Sequence, residues 1–201
     1  TATPTATATV TATATATPSG CHYAISQIGG SIVPGTVDTG NHADDLTTNV
    51  VLPFSYSLYG LSFGSINVSS NGNAQFVTSD AASTNVCLPW TAHSYAAFPY
   101  WDDQRTDAQT GCAGFPGGTC GIFTSTSGTA PNRIFNIEWR TVYFADTTQA
   151  ANHELRLYEG QSRFDVIYGS AAQGNTSATA GVQEGNTSFD QYFCNGTGSP
   201  A

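Results

Sequence analysis

The stretch Arg133–Phe144, "RIFNIEWRTVYF", decides how the chain folds. Phe135, Ile137, Trp139, Thr141 and Tyr143 fall on one side, and Asn136, Glu138 and Arg140 on the other. Period two is the repeat of a β-strand, because successive side chains leave opposite faces of the pleat. The pattern predicts a strand with its aromatic side in a core and its charged side in solvent.

The same reading extends in both directions. "HELRLYE" alternates Leu155 and Leu157 against Glu154, Arg156 and Tyr158, and "RFDVIYG" follows after only "GQS", which predicts a hairpin. Towards the N-terminus, "NVVLPFSYSLYG", "SINVSS" and "NAQFVTS" read as strands, and Asn71-Gly72 is a strong hairpin-turn dipeptide. "ATAGVQEG" and "SFDQYFC" complete the set, with the last apolar strand expected to end at Cys194. Many short strands punctuated by Gly, Asn and Ser, with almost no helical periodicity, predict an all-β antiparallel β-sandwich.

Composition narrows the class. Only 9% of the 201 residues are charged while 39% are hydrophobic, the reverse of a disordered chain. The net charge of −9, with no lysine, argues against nucleic acid, which is bound through Lys and Arg at phosphates. No apolar run approaches the length of a spanning helix, so no membrane insertion is expected. The absence of methionine predicts a processed, mature chain. Five cysteines without metal-ligand spacing indicate disulfides and an oxidising, extracellular compartment. Cys112 and Cys120 enclose a short loop and form one expected pair; Cys87 and Cys194 form the second, leaving Cys21 over as a buried thiol or an interchain bond.

Motifs for chemistry are weak. "GLSFG" (60–64) matches a nucleophile elbow, but that motif needs a following helix, and strands flank Ser62 on both sides. His22, His42, His93 and His153 are scattered, and Glu138, Glu154 and Glu159 sit on strand faces where solvated carboxylates are ordinary. No enzyme activity is expected. Two acidic clusters, Asp38/Asn41/Asp44/Asp45 and Asp102/Asp103/Asp107, have the hard oxygen ligands that suit Ca²⁺. Turn chemistry explains them as well, since Asp and Asn side chains bond nearby backbone amides; no cofactor is the expectation, with Ca²⁺ as the exception to watch. Trp90, Tyr95 and Trp101 could face a sugar, although aromatics in a sandwich belong more often to its core.

From about residue 50 to 184 the chain resembles the extracellular nidogen-type (NIDO) domain and related domains of secreted bacterial proteins. The resemblance is carried by "INVSSNGNAQF" (66–76), "FPYWDDQRT" (98–106), "FNIEWRTVYF" (135–144), "HELRLYEGQSRFDVIYG" (153–169) and "ATAGVQEG" (178–185), in that order. It implies an adhesive or structural β-rich module without catalysis. It also implies a further apolar strand after Cys194, where this sequence has only "NGTGSPA".

Residues 1–20 stand apart from the domain at 21–201. Every odd position from Thr1 to Thr17 is threonine, and the even positions hold only Ala, Pro and one Val. The composition fits an O-glycosylated stalk. The alternation, however, has the β period and not the three-residue repeat of polyproline II. As a strand it would carry a narrow Ala/Val face and a β-branched Thr face. A spare strand and a body short of one together predict donor-strand complementation, with main-chain hydrogen bonds as the adhesive.

The resulting expectation is an extracellular structural subunit that polymerises with copies of itself, head to tail, through Thr5, Ala6, Thr7, Ala8, Thr9, Val10, Thr11, Ala12, Thr13, Ala14, Thr15, Ala16 and Thr17. Covalent glycans are expected on Thr1, Thr3, Thr5, Thr7, Thr9, Thr11, Thr13, Thr15 and Thr17, and at the sequons Asn67, Asn175, Asn186 and Asn195. The alternative is a carbohydrate- or matrix-binding adhesin domain on a Thr-rich stalk.

Overall fold

The computed structural model describes residues 22–198 in full and residues 9–17 as backbone strand. Thr1, Thr3, Thr5, Ala6, Thr7, Ala8 and Cys21, named above, lie outside the described residues. The strands run β1 (Thr9–Thr17), β2 (His22–Gly30), β3 (Val37–Asp38), β4 (Thr47–Leu58), β5 (Leu61–Ser69), β6 (Ala74–Gln75), β7 (Ala96–Trp101) and β8 (Gln104–Arg105). After two short 3-10 turns come β9 (Gly121–Ser127), β10 (Ile134–Tyr143), β11 (Ala150–Tyr158), β12 (Phe164–Ala171), β13 (Thr179–Gly185), β14 (Ser188–Cys194) and β15 (Thr197–Gly198).

They form two antiparallel sheets packed as a sandwich. The first has the order β2-β1-β12-β11-β10-β9-β3, with β8 also on β10; the second runs β15-β14-β13-β7-β6-β5-β4. The deciding stretch is β10, at the heart of the first sheet between β9 and β11. Phe135, Ile137, Trp139 and Tyr143 enter the main core with Leu155 and Leu157 of β11 and Leu58, Ile66 and Phe193 of the other sheet. The expected hairpin joins β11 to β12, with Leu157 opposite Phe164. Asn71-Gly72 turns the chain between β5 and β6. Gly72 has φ 77°, and a Cβ there would lie 2.0 Å from the Tyr100 carbonyl oxygen, so both the angle and the space require glycine.

Two expectations are corrected. The charged side of β10 does not face solvent: Asn136, Glu138 and Arg140 are buried, as is Glu154 on β11. Residues 31–35 lie across that outer face as a strap before the chain joins the sheet edge as β3, which the alternation within β10 has no means of announcing. Trp90 and Trp101 belong to the core, the favoured reading of sandwich aromatics, packed in a second cluster with Phe98. Finally, the chain does return after Cys194: β15 pairs with the end of β14, Cys194 opposite Thr197, through a turn at Asn195-Gly196 where both residues have positive φ.

The disulfides join Cys87 to Cys194 and Cys112 to Cys120, the two expected pairs. The first ties the loop before β7 to β14, and the second closes the 3-10 region over Val142. No helix among the described residues is long and apolar enough to cross a membrane.

Candidate self-assembly site

β1 is an internal strand of the first sheet. It pairs along its full length with β2, from Thr9 opposite Gly30 to Thr17 opposite His22, and on its other side with β12, from Thr11 opposite Ile167 to Ala14 opposite Phe164. Directly paired residues lie on the same side of a sheet. Positions 12 and 14 therefore share the side of Val166 and Phe164, which belong to the core. Positions 11 and 13 share the opposite side with Ile167 and Asp165. Both neighbours hold β1 through the main chain, which a Thr/Ala sequence offers as well as any other.

Without β1, β2 would stand about 9.5 Å from β12, two strand spacings away, leaving a slot one strand wide. The walls of that slot have attachments of their own. Tyr23 of β2 is buried against Tyr59 and Phe164, and its hydroxyl donates to the Ser162 carbonyl. Its backbone amide donates to Asp190 Oδ2 of β14 at 2.6 Å, and His22 meets the other oxygen of the same carboxylate at 3.0 Å. Gln27 Nε2 donates to the Tyr192 hydroxyl. The start of β2 is thus pinned to the second sheet without any help from β1.

The far end of β2 is pinned by the strap. The Val33 amide donates to Glu154 Oε2 at 2.9 Å and the Gly35 amide to Glu138 Oε2 at 2.8 Å. In return, Arg140 donates to the Gly35 carbonyl at 2.9 Å and Arg156 to the Ser31 carbonyl at 2.6 Å. The two arginines also pair with the two glutamates, and Asn152 donates to Glu138 Oε1. Two cations thus neutralise two anions, and one atom of each of the four side chains meets the strap backbone, while Arg140 Nε stays buried without a hydrogen-bond partner. Buried charges are tolerated when they are paired and hydrogen-bonded in this way. Even so, burial pushes the Glu154 carboxyl up to about 7, with Arg156 and the Val33 amide pulling it back. Gly35 lies so close that a Cβ would sit 2.5 Å from the Phe123 Cβ. None of this was legible in the sequence, where Glu138 and Glu154 read as surface residues.

The other predicted residues fall elsewhere. Of the sequons, Asn186 and Asn195 are exposed in the β13–β14 and β14–β15 turns, and Asn175 is half-buried. Asn67 lies within β5 with its amide donating to the Thr78 carbonyl and its oxygen accepting from Asn49. The acidic clusters are partly united: carboxylate oxygens of Asp44, Asp45 and Asp103 lie within 4.8 Å of one another, a spacing open to a divalent cation. Burial and the neighbouring carboxylates push Asp103 upward, and Arg105, 3.8 Å from Asp44, supplies local counter-charge. Asp38 instead binds His42, Asn41 bonds Thr48 and Thr106, and Asp107 pairs with Arg105.

Three histidines stand beside aspartates: His22 with Asp190, His42 with Asp38 and His93 with Asp80. In His42 and His93 the second ring nitrogen meets the backbone carbonyl of Cys120 or Thr91. Ser62 lies opposite Ser57 in the β4–β5 hairpin, beside a two-residue turn.

The fold and its disulfides define an all-β, disulfide-bonded sandwich module. The chain belongs to the NIDO-related family, whose model matches residues 22–201. No curated protein matches the chain, and no solved structure does. The match begins at the first residue of β2, so β1, an internal strand of the first sheet, comes from sequence outside the family domain.

Proposed function

We propose that the chain is a structural subunit of an extracellular filament, joined head to tail by passage of residues 5–17 into the slot between β2 and β12 of the next subunit. One observation carries this reading: the family domain starts at β2, yet its first sheet has an internal position filled by a strand from outside it. In the single chain that position is taken by the chain's own residues 9–17. Exchange between copies would remake the same backbone bonds, so the strand can be donated at little enthalpic cost. A heterologous contact of this kind propagates instead of closing.

The two disulfides and the NIDO-related domain support an extracellular setting. The exposed turns at Asn186 and Asn195 suit N-glycans, and the threonines of the leading segment suit O-glycans. The subunit acts by assembly, without catalysis and without a cofactor. Deleting residues 1–18 and examining the protein by negative-stain electron microscopy tests the reading. Filaments are expected from the intact chain and only single particles from the truncated one. Filaments from the truncated chain would overturn it, and an intact chain that never polymerises but binds glycans would favour the adhesin alternative.

A further inference from the structure

We infer that position 14 of β1 sets how firmly the slot holds its strand, and that the slot favours a branched apolar residue there over the chain's own alanine. The core side of the slot is incompletely filled. A cavity of about 20 Å³ lies there, lined among others by Ile25 of β2, Phe164 and Val166 of β12, Ala180 and Val182 of β13 and Tyr192 of β14. That exceeds the roughly 10–15 Å³ that one water-sized group needs. The one charged residue in the lining, Asp190, already accepts from the Tyr23 amide and meets His22. A lining so largely of carbon suits a methyl group better than water, which needs several polar partners. Until it is filled, the atoms facing the void forgo the contacts that such a group would supply.

The ladder identifies the level. Position 14 is opposite Ile25 on one flank and Phe164 on the other, on the same side of the sheet, and both of these line the cavity. Position 12 has one such partner, Val166; the other is Gln27, which donates to the Tyr192 hydroxyl. Position 16 is opposite Tyr23, which packs against Tyr59 and Phe164 and is no part of the lining. Of these three levels, 14 alone has the cavity on both flanks. Valine there fills the void, whereas phenylalanine exceeds the room and overpacks it. With alanine the strand is held less firmly than the slot permits. In the assembly reading above, on which this consequence rests, such a strand leaves its own slot for a neighbour's more readily.

The test uses the full-length chain and reads backbone hydrogen exchange in residues 9–17. Ala14→Val should slow that exchange about fourfold, the equivalent of one more buried methyl group. Ala16→Val makes the same chemical change two residues away, opposite Tyr23, and should give no slowing; it controls for the strand propensity of valine. Exchange in β10 at the parent rate shows that both variants are folded. An Ala14→Val chain whose residues 9–17 exchange as fast as the parent's would overturn the inference, as would equal slowing by Ala16→Val. Neither result depends on which copy supplies the strand, so filament loss on truncation of residues 1–18 reports separately on strand exchange.

Discussion

Glu154 is fully buried, yet one of its oxygens meets Arg156 and the other the Val33 amide. Burial outweighs these partners and lifts its carboxyl to about 7, against 4.5 for an ordinary glutamate. The folded state therefore binds more protons than the unfolded chain between about pH 4.5 and about pH 7, and linkage makes the Glu154 contribution to stability fall as pH rises through that window. Glu154→Gln lacks this slope. Relative to the parent, the variant should gain stability between about pH 5 and about pH 8, by at most about 3 kcal/mol, as read from urea unfolding at each pH. A gap that stays constant with pH would contradict the assignment. His153 makes the complementary case. It stacks on Trp139 with ring centroids 5.1 Å apart, neither ring nitrogen has a hydrogen-bond partner, and burial lowers it to about 3, so the ring is neutral. His153→Phe keeps the stack and removes two unsatisfied polar atoms. It should be neutral to about 2 kcal/mol stabilising, measured by thermal or denaturant unfolding.

At the scale of elements, the two disulfides divide unequally. Cys87–Cys194 spans 107 positions and Cys112–Cys120 only eight. Loop-closure entropy assigns them about 5 and about 2.5 kcal/mol respectively, so the Cys87→Ser/Cys194→Ser pair should cost about twice as much in denaturant unfolding as the Cys112→Ser/Cys120→Ser pair. Most of the strands were legible because alternation is local: β10, β11, β12, β13 and β14 each carry their period within ten residues or fewer. The strap was not legible, because "SIVPG" has no period and works through its backbone. Its partners Glu138 and Glu154 look like surface carboxylates until a segment 103 or 121 positions away covers them. The β-character of the Thr/Ala run could be read from its repeat. Its neighbours could not, since a strand without bulky side chains carries no mark of which edge it joins.

At the scale of the whole molecule, the strap, the Asp190 clasp and buried Tyr23 hold β2 to the body independently of β1. A subunit built this way keeps its slot walls in place while the filling strand changes owner, which is what a head-to-tail polymer requires. The central claim, passage of residues 5–17 from one copy to another, is tested most directly by mixing two full-length chains in a Cys21→Ser background, one carrying Thr15→Cys and the other Ala24→Cys. Thr15 and Ala24 are directly opposed in the β1–β2 ladder. Strand exchange predicts an interchain disulfide joining the two variants under mild oxidation, recovered throughout the filament. Chains that polymerise without that cross-link, or a bond that forms only when both cysteines are on one chain, would contradict it.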